Sequence, residues 1–287
     1  MEKVVSIEQY RSIQKEFKPA CRRPLLHCVW SEEQINRHID KGRLYCLKGE
    51  WGFAFLSDEE TYYQCEGYFD PAQKPGILPA DKKILLRTIY QEGRTDAVRD
   101  SFEEQLIAAG FAKEDATYRF QLDIEENLER IVKLGSRAEE MINDMGFYMG
   151  FPDREDVDAL NELMFSSDIL EDIHFFYRDR EELEKEIDEK DFLCVKDKDG
   201  KICAVSRAYV NNGIAEGDGI VVLEEYKKTG LTVALSAKRC ILLNEMGVKY
   251  IRAWIIDTNR ASIRYHTSLG WKKNGRVANE WILQKKG

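Results

Sequence analysis

Along the chain, apolar positions alternate between helical and strand-like spacing, and the order of the first half returns in the second. Ser6 to Phe17 and Ser31 to Lys41 carry apolar residues at helical intervals, and strand-like runs follow over Leu44 to Leu47, Trp51 to Leu56 and Thr61 to Phe69. Ile84 to Tyr90 then predicts a further strand, Ala97 to Ala109 a helix closed by Gly110-Phe111, and Thr117 to Leu122 a strand. Ile124 to Met145 is rich in charge but keeps a partial apolar stripe at Leu128, Ile131, Val132 and Leu134, the pattern of a helix joining two halves.

In the second half, Phe147 to Phe151 fits a strand, Asp156 to Phe165 a helix and Arg180 to Glu189 a second helix, whose charge run reads as a solvated face. Strands are expected over Phe192 to Val195 and Ile202 to Tyr209, joined by the turn Lys198-Asp199-Gly200. Gly219 to Leu223 is an apolar, β-branched run that stops at Glu224-Glu225. Helical spacing resumes over Val233 to Leu243, a strand is expected over Tyr250 to Ile256, and Asn259 is placed to cap a helix over Arg260 to Leu269. Gly270 suits the left-handed residue that ends helices, and Trp271 opens a last pair of strands.

The candidate chemistry lies between these elements. Tyr226-Lys227-Lys228-Thr229-Gly230-Leu231-Thr232 links a strand end to a helix start. The first amides of a helix have no intrahelical acceptor and carry about half a positive charge, so an anion is favoured there. Gly230 permits close backbone approach, and Lys227 and Lys228 add positive charge, although a lysine pair in a turn also reads simply as solvated. Gly217 and Gly219 favour a bulge or a close ligand approach within their strand.

Lys227-x-x-Gly230-x-Thr232, then Asn259, then Tyr265, then Leu269-Gly270-Trp271 together resemble the GNAT superfamily of acyl-CoA N-acyltransferases, over about residues 147 to 284. The family's turn reads Arg/Gln-x-x-Gly-x-Gly/Ala, so Lys227 and the branched Thr232 are departures from it. The resemblance implies an α/β mixed sheet of GNAT fold. It implies that the segment Lys227, Lys228, Thr229, Gly230, Leu231, Thr232 and Val233 holds the CoA pyrophosphate, and that Asn259 serves the pantetheine arm or its turn. It further implies that the Val222 amide faces the thioester carbonyl and that Tyr265 protonates the departing thiolate. Without the resemblance, Tyr265 reads as a half-buried packing tyrosine. Glu216 lies where some members place a glutamate base; Asp218 is a second acidic residue on the same strand face, and both also read as solvated acids or as attractors of a cation.

The first half repeats the order with a gap. Between Phe69 and Lys82 the chain is short and contains Pro71, Pro75 and Pro79, which is too little and too broken for a phosphate turn plus a packed helix. With Gly110 laid on Gly270, Gln105 falls where Tyr265 stands. The expected organisation is a degenerate GNAT-like domain over 1–123 lacking the CoA turn, a connecting helix over 124–146 and a GNAT acyl-CoA-binding domain over 147–287. An unrelated α+β domain is the alternative for the first part. The aromatic and acidic segment Ser166 to Tyr177 sits where the family frames its acceptor, with Glu171, Asp172 or Tyr177 as candidate contacts and ordinary helix packing as the other reading.

Composition narrows the partners. A chain of 287 residues with 43% hydrophobic content has room for more than one core. A net charge of -9 argues against nucleic acid and anionic membranes, both of which require clustered positive charge. The Met1-Glu2-Lys3 start lacks a secretion signal and no run is long enough to span a membrane, so a cytoplasmic protein is expected. Seven scattered cysteines read as reduced and mostly buried, and Cys21, His27 and Cys28 lack a second ligand pair, so no metal is expected.

The leading expectation is an N-acetyltransferase moving an acetyl or other acyl group from CoA to a small-molecule or peptide amine, with a homodimer through exposed sheet edges as one arrangement open to it. A non-catalytic acyl-CoA sensor or interaction protein is the alternative, and aminoacyl transfer from charged tRNA is a third reading that the acidic balance disfavours.

Overall fold

The computed structural model describes residues 1–17, 30–59, 62–69, 81–93, 97–165 and 180–284. They divide into two units: Met1–Tyr118 with Ile256–Thr258 and the chain from Gly275, and Arg119–Ile255 with Asn259–Asn274.

The first unit contains β1 (Glu2–Lys3), α1 (Ile7–Phe17), α2 (Glu32–Asp40), β2 (Leu44–Gly49), β3 (Gly52–Glu59), β4 (Tyr62–Phe69), β5 (Lys83–Gln91) and α3 (Ala97–Ala108). β1 to β4 are antiparallel neighbours, whereas β5 lies parallel to β4, with pairing from Tyr62–Lys83 to Cys65–Leu86. Alternation along β3 sends Phe53 and Phe55 to one face, against Tyr10 and Ile13 of α1 and Ile35 of α2. It sends Ala54 and Leu56 to the other face, against Phe102 and Leu106 of α3. β6 (Ala112–Asp123) carries the chain into the second unit between Tyr118 and Arg119.

The last strand of the first unit comes from the far end of the sequence. β12 (Lys272–Leu283) pairs antiparallel with β5 from Arg276–Gln91 to Leu283–Ile84. Its Trp281 is 1% exposed within the α3-side core and donates its indole N–H to Thr88 Oγ1 at 3.1 Å. The pair of strands expected from Trp271 onward is therefore a single strand. Asn274-Gly275 has the composition of a hairpin turn, but Gly275 only kinks the strand, with φ +80 and a carbonyl that accepts from Glu92 N–H.

The second unit contains α4 (Ile124–Asp144), β7 (Tyr148–Gly150), α5 (Val157–Phe165), α6 (Arg180–Asp188), β8 (Phe192–Lys196), β9 (Ile202–Asn211), β10 (Ile214–Val222), α7 (Leu231–Glu245), β11 (Tyr250–Ile256) and α8 (Arg260–Ser268). Its strand order runs β6-β11-β10-β9-β8-β7. α5 and α6 cover one face through Leu160, Leu163, Leu183 and Ile187. α4 and α7 cover the other through Ala138, Ile142, Leu231, Ala234 and Leu235. Gly135 lets α4 sit directly on α7, since a Cβ there would lie 2.5 Å from that of Ala237. The joining helix is thus part of this unit's core.

The described cysteines, Cys46, Cys65, Cys194, Cys203 and Cys240, are free and buried, while Cys21, His27 and Cys28 lie outside the described residues. Among the described residues no helix is long and apolar enough to cross a membrane.

Candidate active site

The site begins with a fault in β10. Its antiparallel register with β9 shifts between Gly217 and Gly219, where Gly219 takes φ +124, so the glycine pair does produce a bulge. The parallel ladder with β11 runs only from Ile214–Tyr250 to Gly217–Ala253, and beyond it the two strands part. Leu223 N–H bonds to the Cys203 carbonyl of β9. The alternation of an antiparallel ladder therefore turns the Ile220 and Val222 amides the other way, toward the gap that β11 leaves.

At the end of this gap, a single 3-10 turn over Glu224–Tyr226 leads into the glycine turn. Lys228 and Gly230 both take left-handed conformations, with φ +70 and +92. Thr229 between them donates its hydroxyl to the Tyr226 carbonyl at 2.5 Å. Alternating handedness of this kind points successive N–H groups inward and forms an anion-binding concavity. α7 starts at Leu231 rather than Val233, and its first bond runs from Ala234 N–H to the Gly230 carbonyl. Leu231, Thr232 and Val233 N–H therefore have no intrahelical acceptor, and no side chain caps this helix. By contrast, Ser31, Asp123 and Asn259 cap α2, α4 and α8. Of the two lysines, Lys227 pairs with Glu224, which commits its charge locally.

α8 brings Tyr265 to the same place. Asn259 caps the helix by accepting from Ser262 N–H at 2.9 Å, and Gly270 ends it at φ +96. The Tyr265 hydroxyl lies 3.0 Å from the Thr232 carbonyl oxygen, to which it donates, and 2.6 Å from Ser236 Oγ. Burial pushes its pKa above the usual phenol range, so the hydroxyl is protonated at neutral pH. His266 beside it is half-buried, with its pKa lowered by desolvation, and packs edge-on against Trp271 and Tyr265.

Glu216 stands one residue before the end of the β10–β11 ladder, in register with Tyr209 of β9 and Arg252 of β11. Arg207, two residues before Tyr209, pairs with Glu186 of α6 at 2.7 Å, which identifies this as the α5–α6 face of the sheet. The Glu216 carboxylate and the Tyr265 phenol thus approach the strand gap from opposite faces. The expected acceptor contacts of Ser166 to Tyr177 lie outside the described residues.

Comparison with known proteins accords with this geometry. Residues 157–271 match the model of the acetyltransferase (GNAT) family. The second unit contains a GNAT acetyltransferase domain over those residues. No curated protein matches the chain. Among solved structures, a GCN5-related N-acetyltransferase from Sphaerobacter thermophilus is similar at TM-score 0.54 and 11% identity, over 83% of this chain and 78% of that one. A tandem GNAT protein from the clavulanic acid biosynthesis pathway is similar at TM-score 0.52 and 13% identity, over 85% and 84%. A GCN5-related glucosamine N-acetyltransferase region of a fungal multi-domain protein reaches TM-score 0.57 at 11% identity over 81% of this chain, which spans 31% of that protein's length. At such identities the likeness is one of fold, and the tandem neighbours extend the mixed α/β GNAT fold over most of the chain.

Two features of the GNAT domain's site carried no signal in the sequence. Ser236 sits in a helix of small and apolar residues, and only the crossing of α7 with α8 brings it to Tyr265. Met141 of α4 reaches the turn, its Cε 2.4 Å from where a Cβ on residue 230 would stand. That contact reflects how α4 and α7 pack and has no local pattern.

Proposed function

We propose that the GNAT domain transfers an acetyl group from acetyl-CoA to a small-molecule or peptide amine by direct attack. The observation that carries this reading is the meeting of a strand gap with an uncapped helix start. β10 and β11 part beyond Gly217–Ala253, the Ile220 and Val222 amides face the gap, and the amides from Lys228 to Val233 lie at its end. Gly230, at φ +92, gives the turn the left-handed step that a side chain would strain.

Acetyl-CoA, the usual cosubstrate of this family, supplies an acyl group activated as a thioester. The turn amides hold the pyrophosphate, and Lys228 adds charge beside them. Asn259 secures the start of α8 and so sets the position of Tyr265. An alkylammonium is neutral in only about one in a thousand molecules at neutral pH, so Glu216 draws the amine in and takes its proton. The Val222 N–H donates to the carbonyl oxygen as charge develops there. As the carbon–nitrogen bond forms and the carbon–sulfur bond breaks, the Tyr265 hydroxyl gives its proton to sulfur, with Ser236 Oγ as its hydrogen-bond partner.

Calorimetric titration of acetyl-CoA into the natural chain and into Gly230→Glu tests the site. Binding at micromolar Kd is expected, weakened at least a hundredfold by a carboxylate in the turn, with thermal unfolding reporting that the variant folds. No binding to the natural chain defeats the reading. A second reading, an acyl-CoA sensor without transfer, is favoured by the two hydrogen bonds that already engage Tyr265. Binding without transfer to any amine of a broad panel would select it.

A further inference from the structure

Arg252 occupies an unusual place beside the candidate base. Its side chain is 23% exposed, and its Nε donates to Gln121 Oε1 at 2.9 Å, which anchors the guanidinium from the neighbouring strand β6. Nη1 stands 3.7 Å from Glu216 Oε1, near enough for attraction but too far for a hydrogen bond. The remaining guanidinium donors are held in a fixed fork on the half-exposed α5–α6 face. Other arginines of this unit are committed differently: the Arg119 guanidinium lies 5.7 Å from the centre of the Trp254 ring. Arg207 gives Nε and Nη2 to the two oxygens of Glu186, and Arg239 gives its Nη groups to the carbonyls of Lys190, Asp191 and Ser206. Trp254, two residues beyond Arg252, stands on the same face as a flat wall.

An arginine anchored through Nε, with no hydrogen bond from its Nη groups among the described residues, is preorganised to take an oxyanion in two parallel hydrogen bonds. Glu216 and Arg252, in register on neighbouring strands with Oε1 and Nη1 3.7 Å apart, set a negative and a positive group side by side, as an amine and an acid group within one small molecule require. An ion pair serving only stability is best closed by direct hydrogen bonds, as Arg207 and Glu186 show.

We infer that the acceptor is an amine that also bears an oxyanion, as amino acids and phosphorylated amines do, with Arg252 binding the anion while Glu216 meets the amine. This rests on the acetyltransferase reading of the same domain. Arg252 is a specificity-determining residue in this scheme and takes no part in the bond changes.

The test uses matched probes: phenylalanine against phenylalaninamide, and phosphoethanolamine against ethanolamine, each with acetyl-CoA and the full chain. At least one acid is expected to exceed its uncharged partner tenfold or more in kcat/KM, the carboxylate and phosphate arms showing which oxyanion is preferred. In Arg252→Gln that ratio falls to near one, mainly through KM, and Arg252→Lys restores part of it. Equal use of both members in each pair, or a ratio unchanged in Arg252→Gln, overturns the inference. Should none of the probes turn over, calorimetric binding to the CoA-loaded protein decides, and acids that bind no better than their partners, or not at all, also overturn it. The acetyltransferase reading fails separately, through absence of acetyl-CoA binding.

Discussion

The two units carry a similar element order and differ around one parallel ladder. In each, antiparallel strands lead to a strand paired in parallel with the next, and the parallel ladder is short: it ends at Cys65–Leu86 in the first unit and at Gly217–Ala253 in the second. In the second unit residues 223–249 then supply the glycine turn and α7, whereas residues 70–82 are all that join β4 to β5 in the first. What stands just beyond the ladder also differs. The second unit has a glycine bulge there, but the first has Glu66, which is 8% exposed and accepts from the Tyr10 hydroxyl at 3.1 Å and from Trp30 N–H at 3.3 Å. One unit has glycines just beyond its ladder; the other fills that position with its own side chains. A shared fold thus does not transmit chemistry, which depends on what occupies one short stretch of strand.

The sharpest way to break this comparison is at the phenol. Tyr265→Phe is expected to lower kcat by about 10²–10⁴ with acetyl-CoA binding retained. Stopped-flow or coupled thiol release measures it, and an unchanged kcat at saturating substrate removes the acid role. Gln105→Tyr, the equivalent position in the first unit, is expected to create no second activity. Next in size is Trp281→Ala, which opens a cavity at a 1% exposed site and removes the indole bond to Thr88; a loss of about 3–5 kcal/mol is expected from denaturant unfolding. Hydrogen exchange then shows whether the loss is concentrated in β5 and α3.

The smallest of these effects concerns pH. Burial raises the Glu66 carboxyl from its ordinary 4.5 to about 7, so the folded chain keeps a proton that the unfolded chain has released. Its contribution to stability is therefore present below about pH 4.5, declines as pH rises toward 7, and is lost above that. Glu66→Gln, with its oxygen toward Trp30 N–H and its NH2 toward the Tyr10 oxygen, is expected to flatten this slope and raise stability at pH 8 by on the order of 1–3 kcal/mol. Unfolding midpoints of both proteins between pH 5 and 8 measure the difference, and parallel curves remove Glu66 as the cause.

Much of the fold was legible because its signals are local. Gly270 takes the left-handed conformation its position suggested, Gly217 and Gly219 make the bulge, and Asn259 caps its helix. Apolar periodicity located most of the described strands and helices, but it gave no sign of β1 and began β6 and β10 about five residues late, where their polar and glycine residues hide the strand. Partnerships between distant elements were not legible. Nothing in the alternation of β12 says that it pairs with β5, and nothing near Ser236, Met141 or Gln121 says that each will meet Tyr265, Gly230 and Arg252. Such contacts are set by helix crossing and strand order, which are properties of the assembled core.

The seating of β12 beside β5 has a consequence during biosynthesis. The Arg87–Glu280 bond joins residues 193 positions apart, and Trp281 fills the α3-side core from the same strand. As the chain leaves the ribosome, β5 and α3 emerge long before the strand that covers them. The first part made is therefore the last to be finished, and for that interval it presents an unpaired strand edge and bare apolar surface, the features by which chaperones recognise a nascent chain.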